Sequence, residues 1–209
     1  QARKEINLFA ERMRRMFGML KTLLHETNEN EFNKLFSRIE KYENISDSME
    51  LEIANYLNKV SEGRLSSESK LEIRGMLREV TEIESIGDSC YNLARTINRK
   101  RSGGNDFTEK QYEHIHQMMQ LTDDALAQMI AIVEDDYHVV DVNKTFNLEN
   151  EINNYRAQLK NQNVVDVNNK EYDYQMGVHY MDLIGECEKL ADYVVNVVEA
   201  RTNVKEKKA

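Results

Sequence analysis

The residues of this chain best placed for chemistry are acids at helical spacing. Within LEIRGMLREVTEIESIGDSCYNLARTINRKR (71–101), Glu84 and Asp88 lie four residues apart and Asn92 four further on. In a helix that spacing stacks the three on one face, roughly one turn apart. Residues 42–50 carry a second pair of the same kind, Glu43 and Asp47, with Glu50 beside it. Carboxylates without histidine or thiolate are the donor set of a hard cation: Mg, Ca, Mn or ferric iron. Crowded together they repel unless protonated, solvated or bridged by positive charge. Spacing leaves a second reading open, because acidic i,i+4 pairs also form ordinary solvated helix faces.

The elements that must position these acids are helices. The chain has 209 residues, no proline and eight glycines, a composition of long helices and little else. Leu77, Val80, Ile83, Gly87, Cys90, Ala94 and Ile97 recur at steps of three and four, with Glu84 and Asp88 on the flank of that stripe. A glycine inside a helix costs about 1 kcal/mol relative to alanine. Gly87 therefore predicts the close approach of another helix, or of something bound beside the two carboxylates.

The periodicity predicts a first helix over 3–25, with Ile6, Phe9, Met13, Met16, Leu20, Leu23 and Leu24 inward. Its other face is basic: Arg3, Lys4, Arg12, Arg14, Arg15 and Lys21. Such a face suits either solvent or anionic lipid headgroups. Asn28 with Glu31 marks the start of a second helix reaching Ser61, with Ile39, Tyr42, Ser46, Met49, Ile53, Tyr56 and Val60 inward. Gly63 ends it, and Ser66 or Ser67 caps a third that closes on Arg99, Lys100 and Arg101. SGGND (102–106) holds the only adjacent glycines and is the expected boundary. Thr108 with Gln111 forms a capping box, and Phe107 with Tyr112 a staple, at the start of a fourth helix over 109–138. A fifth begins near Asn143. Asn168 and Glu171 are expected to cap a sixth that runs to about Val204, before a charged tail from Lys205 to Ala209.

The second half restates the first. ESIGDSCYN (84–92) and EKLADYVVN (188–196) align without gaps, sharing Glu, Asp and Asn at the same offsets. Tyr42-Glu43 corresponds to Leu148-Glu149, which places Asn153 where Asp47 stands. The expected fold is all-α: two three-helix bundles, 1–102 and 107–209, related by duplication and packed side by side. The first half offers Glu43, Asp47, Glu84 and Asp88; the second offers Glu149, Glu188 and Asp192, so any cation site is expected to be stronger in the first.

Several classes fall away. The net charge of −9 with no dominant basic face argues against nucleic acid. No apolar run reaches the length of a membrane span. Cys90 and Cys187 sit inside apolar helical patterns and read as reduced core thiols. A ferritin-like di-metal enzyme needs Glu-x-x-His on two helices plus two further Glu. The chain has Glu113–His116 and a weaker Asp135–His138 on the same predicted helix, while His25, His114 and His179 have no ligand-spaced partner in sequence. With no phosphate loop, nucleophile elbow or Cys-x-x-Cys, catalysis is not expected.

These motifs resemble a known family. Duplicated three-helix bundles with Glu-x-x-x-Asp on paired helices look like PhoU proteins, bacterial regulators of phosphate uptake. YENISDSMELEIANYLNKVSEGRLSSES (42–69) and EIESIGDSCYNLAR (82–95) resemble one branch in particular. That branch is the cytoplasmic PhoU-like region at the C-terminus of bacterial sodium/phosphate cotransporters. The resemblance implies metal, iron or zinc, held by Glu43, Asp47, Glu84 and Asp88, then by Glu188 and Asp192, with Asn153 departing from the motif. It also implies a membrane-embedded transporter portion preceding Gln1 in the same polypeptide, and a place at the cytoplasmic face of the bacterial inner membrane. The opening QARKEINLF, which begins mid-pattern, fits that expectation, and the basic first helix then reads as a juxtamembrane segment near anionic lipid. Further implications are a regulatory role in phosphate uptake, as that cotransporter domain or alternatively as a free-standing PhoU-like regulator, and a possible homo-oligomer.

Overall fold

Side chains set where the helices begin. Asn28, Ser66, Thr108 and Asp173 each accept a hydrogen bond from the backbone N–H three residues on, and Gln111 returns the bond to Thr108 to complete the capping box. The computed structural model describes residues 1–203, which form α1 (Ala2–His25), α2 (Glu29–Ser61), α3 (Ser67–Ser102), α4 (Glu109–Val133), α5 (Asn143–Asn168) and α6 (Tyr174–Thr202). The expected all-α duplicated fold is the one found. Residues 204–209, including the end assigned to the last helix and the charged tail, lie outside the described residues.

Three sequence expectations need correction. Helix α4 stops at Val133 rather than 138, because the Asp135 carboxylate accepts from the backbone N–H groups of Tyr137 and Val140 and closes a turn. Asp135 and His138 are therefore in a loop and share no helix face. The cap of α6 is Asp173. Asn168 ends α5, and Lys170 in the left-handed region, φ 58°, turns the chain before Glu171. On α2, Tyr56 and Val60 are exposed while Phe32 and Leu57 are buried. At 100° per residue Leu57 lies within about 20° of Phe32 around the helix, whereas Val60 has drifted by about 80° and Tyr56 by about 120°.

Helix α1 supplies the centre of the first bundle: Ile6, Phe9, Met13, Met16, Phe17, Leu20 and Leu23 are fully buried. The apolar core continues through both halves. The most extensive helix contact is α3 on α6, and its polar edges repeat. Asn92 donates to Glu186 at 3.2 Å, and Asn196 donates to Glu82 at 3.1 Å. Because 84–92 aligns with 188–196, these are one contact made twice, as a two-fold axis between antiparallel helices requires. Asn92 thus belongs to the seam and not to the acidic face. Eight residues advance a helix by two turns and about 80°, enough to carry it round.

Four of the basic residues of α1 are engaged by other helices, Arg14 from an exposed position. Arg3 makes a bidentate pair with Glu79, Nη1–Oε1 2.7 Å and Nη2–Oε2 3.0 Å, and Glu79 is fully buried. Arg14 and Lys21 both pair with Asp123 of α4, and the Arg12 guanidinium lies 3.9 Å from the Tyr42 ring centre. Lys4 and Arg15 are exposed. Burial pushes the Glu79 carboxyl up and Arg3 opposes that shift.

Removing the arginine strands a buried charge, which costs about 3–5 kcal/mol, whereas replacing a buried pair by apolar groups is often neutral. Arg3→Ala is expected to lower unfolding free energy by that amount in urea denaturation. Arg3→Met combined with Glu79→Leu should recover most of it.

Candidate metal centre

Where α2 and α3 cross, the side chains are small. A Cβ built on Gly87 would stand 3.8 Å from the Cβ of Ser46 and 3.0 Å from Met13 Sδ. Ser46 is buried and its hydroxyl donates to the Tyr42 carbonyl at 2.6 Å, so it brings no orphan polar group into the contact. The close approach predicted from Gly87 is thus an approach of two helices, α1 and α2. Asp47 and Asp88 are the next residues after Ser46 and Gly87, and the tight crossing carries them together on the outer edge.

One carboxylate oxygen each from Glu43, Asp47 and Asp88 lies within 4.8 Å of the others. Glu84 is within hydrogen-bonding reach of Asp47 and Asp88, and Glu43 of Asp88. Among the described residues no ion pair reaches any of these four acids. Partial burial, then the neighbouring Asp47 and Asp88, raise the carboxyls of Glu43 and Glu50 above the ordinary glutamate range. Burial and hydrogen bonds with Asp47 and Asp88 push Glu84 up to about 8. By itself the cluster therefore holds a proton at neutral pH. A hard cation bound by oxygens at about 2.1–2.5 Å would accommodate ligands up to about 5 Å apart across it. The donor set fits such an ion, and the exposure of Asp47 and Asp88 leaves room for water ligands.

The second half is built differently at the same register. Ile152 and Ala191, both buried, stand where Ser46 and Gly87 do, so a bulkier residue separates α5 from α6. Glu149 is buried and Asn153 half-buried. Arg156, the counterpart of Glu50, points its Nε at Glu188 from 3.6 Å. Burial raises Glu188, Arg156 opposes the shift and Asp192 adds to it. A guanidinium thus supplies positive charge beside Glu188 and Asp192. Sequence reading passed over Arg156, although extending the alignment of Glu43 with Glu149 by seven residues reaches it.

Elsewhere, Cys90 and Cys187 are buried free thiols, and burial pushes Cys187 up to about 12. His114 Nδ1 meets the Tyr180 hydroxyl at 2.8 Å and His179 is buried, so neither approaches the acids. A cleft of about 760 Å³ near Arg3, Glu79 and Arg201 contains none of the acids named above as ligands.

A family model described as the PhoU domain matches residues 6–97 and again 115–200. The chain belongs to the PhoU family. Two matches in one chain agree with the internal duplication. Among solved structures, this PhoU chain is similar to the phosphate transport system regulatory protein PhoU from Streptococcus pneumoniae. Identity is 14% and TM-score 0.77, over 99% of this chain and 96% of that one. It is also similar to PhoU from Pseudomonas aeruginosa, at 14% identity and TM-score 0.72, over 95% and 92%. At such identity the likeness shows the fold. No protein of curated function matches the chain in sequence.

The raised Glu84 sets a pH dependence for metal-free PhoU. The folded state holds a proton that the unfolded glutamate, with its ordinary value of 4.5, releases. Stability is then fullest below that value and is lost as pH rises through about 8. Melting temperatures of chelator-treated protein should fall between pH 5 and 8.5 (roughly the window set by linkage), and Glu84→Gln should flatten that slope.

Proposed function

We propose that this PhoU-family chain is a metal-binding regulator of phosphate uptake and not an enzyme. The observation that carries the metal reading is the convergence of Glu43, Asp47 and Asp88 within 4.8 Å, with Glu84 beside them and no cationic side chain paired to the group among the described residues. Glu43, Asp47, Glu84 and Asp88 hold the ion on the groove between α2 and α3. Held by these four acids, a cation would supply charge neutralisation in place of the shared proton, between α2 and α3. Oxygen donors suit iron, Mg, Mn or Ca, and zinc also accepts carboxylates. Glu188 and Asp192 form the weaker position, because Arg156 already meets their charge.

Support for the regulatory role comes from family membership and from the whole-chain likeness to a phosphate transport system regulatory protein. That likeness favours a regulator of PhoU type acting on a phosphate transporter. A second reading attaches the domain to a sodium/phosphate cotransporter on the cytoplasmic side of the membrane, and the wording of 42–69 and 82–95 favours it. No helix among the described residues is long and apolar enough to cross a membrane. With Arg3 and Arg12 turned against the fold and Arg14 and Lys21 paired with Asp123 at the surface, a lipid contact of α1 would rest chiefly on the exposed Lys4 and Arg15.

Elemental analysis of purified protein should find metal that drops by more than about half in Asp47→Asn/Asp88→Asn, since one partner lost from a shared ion leaves too few oxygens. Metal content that is nil, or the same in that variant, removes the centre. Phosphate uptake in cells carrying the same variant should depart from wild type, and unchanged uptake would count against regulation through this groove. Arg156→Glu should raise metal content, by opening the position at Glu188 and Asp192.

A further inference from the structure

Two histidines outside the acidic groove meet where the halves join. His25 ends α1, and His116 lies in the second turn of α4; both are exposed. Their Nε2 atoms are 2.5 Å apart and their ring centres 4.7 Å apart. Two imidazole lone pairs at that separation repel unless a proton or a metal ion lies between them.

The rings are held where they are. Tyr112, one turn before His116, packs against both, with ring centres 5.1 Å from His25 and 6.3 Å from His116. The Tyr112 hydroxyl donates to Asp106 and accepts from Lys100 at 3.2 Å, so this aromatic shelf is tied to the α3–α4 connection. Lys100, whose charge bears on His25, is itself paired with Asp106. A cleft of about 490 Å³ opens beside His25, lined also by Lys100, Arg101, Asp106 and Tyr112, and leaves that ring accessible to water. Burial and the adjacent His116 hold His25 below the usual histidine range, which favours the neutral ring that binds metals. Among the described residues no third His, Cys, Asp or Glu brings a ligand atom within 4.8 Å of both rings, so the remaining coordination positions fall to water.

We propose that His25 and His116 form a metal site for a late divalent transition ion, zinc, nickel or copper, separate from the carboxylate groove and clamping α1 to α4. Imidazole donors select these ions over the hard cations that oxygen donors prefer. A four-coordinate ion with metal–nitrogen bonds of about 2.0–2.1 Å sets its nitrogens about 3.3 Å apart. The two exposed rings therefore need to part by less than about 1 Å, within side-chain rotation.

The test is copper titration of the full chain in an Asp47→Asn/Asp88→Asn background, which removes the groove, read by electron paramagnetic resonance. The expected spectrum shows hyperfine coupling to two imidazole nitrogens at one copper per chain. In His25→Gln and in His116→Gln separately, the second nitrogen should vanish and binding weaken by about tenfold or more, as chelation is lost. Zinc should raise the melting temperature of the background protein and leave both glutamine variants unmoved. Undiminished affinity in either variant, or a spectrum without paired nitrogen coupling, would mean that the two rings share only a hydrogen bond, and the site would be discarded.

Discussion

The contact between Ser46 and Gly87 decides what the acidic face can do. Helix axes normally stay 8–10 Å apart because side chains hold them there. At this crossing one side chain is a hydroxymethyl group and the other is absent, so α2 and α3 close on each other with Met13 of α1 packed beneath. The residues that follow, Asp47 and Asp88, are carried onto the same outer edge. Their repulsion is a consequence of apolar packing elsewhere, since the fully buried stripe of α1 holds the bundle shut regardless of the charges on its rim. Burial of the stripe drives folding, and the charges on the rim are settled by solvent, a proton or a cation afterwards.

The second half shows the same scaffold with that constraint relaxed. Ile152 in place of Ser46 adds bulk at the crossing, Asn153 removes one charge, and Arg156 brings a cation within 3.6 Å of Glu188. All three differences act in one direction. A duplicated bundle has kept its Glu and Asp on the last helix of each half while meeting their charge from different sources.

Much of this was legible in the chain. The caps at Asn28, Ser66 and Thr108 mark helix starts by local chemistry alone, because each needs only a partner three residues on. The apolar stripes and the paired acids follow from helical period, and the repeat predicts the inequality of the halves. What escaped were one local competition and several contacts distant in sequence. The Asp135 turn, which ends α4, competes with a helical pattern that continues past it. Arg3, Arg14 and Lys21 read as an outer basic face because their partners, Glu79 and Asp123, lie on other helices. His25 and His116 are 91 residues apart, and no spacing rule connects them.

The paired clasps at the central seam carry a consequence of their own. Asn92 with Glu186 and Asn196 with Glu82 form a self-complementary patch, the arrangement expected of two identical half-length proteins gripping one another. Joining such partners through SGGND creates no new surface; it raises the effective concentration of each for the other. Tethered copies need not be identical to stay together. One carries Asn153 and Arg156 where the other carries Asp47 and Glu50, and the grip between them is unaffected.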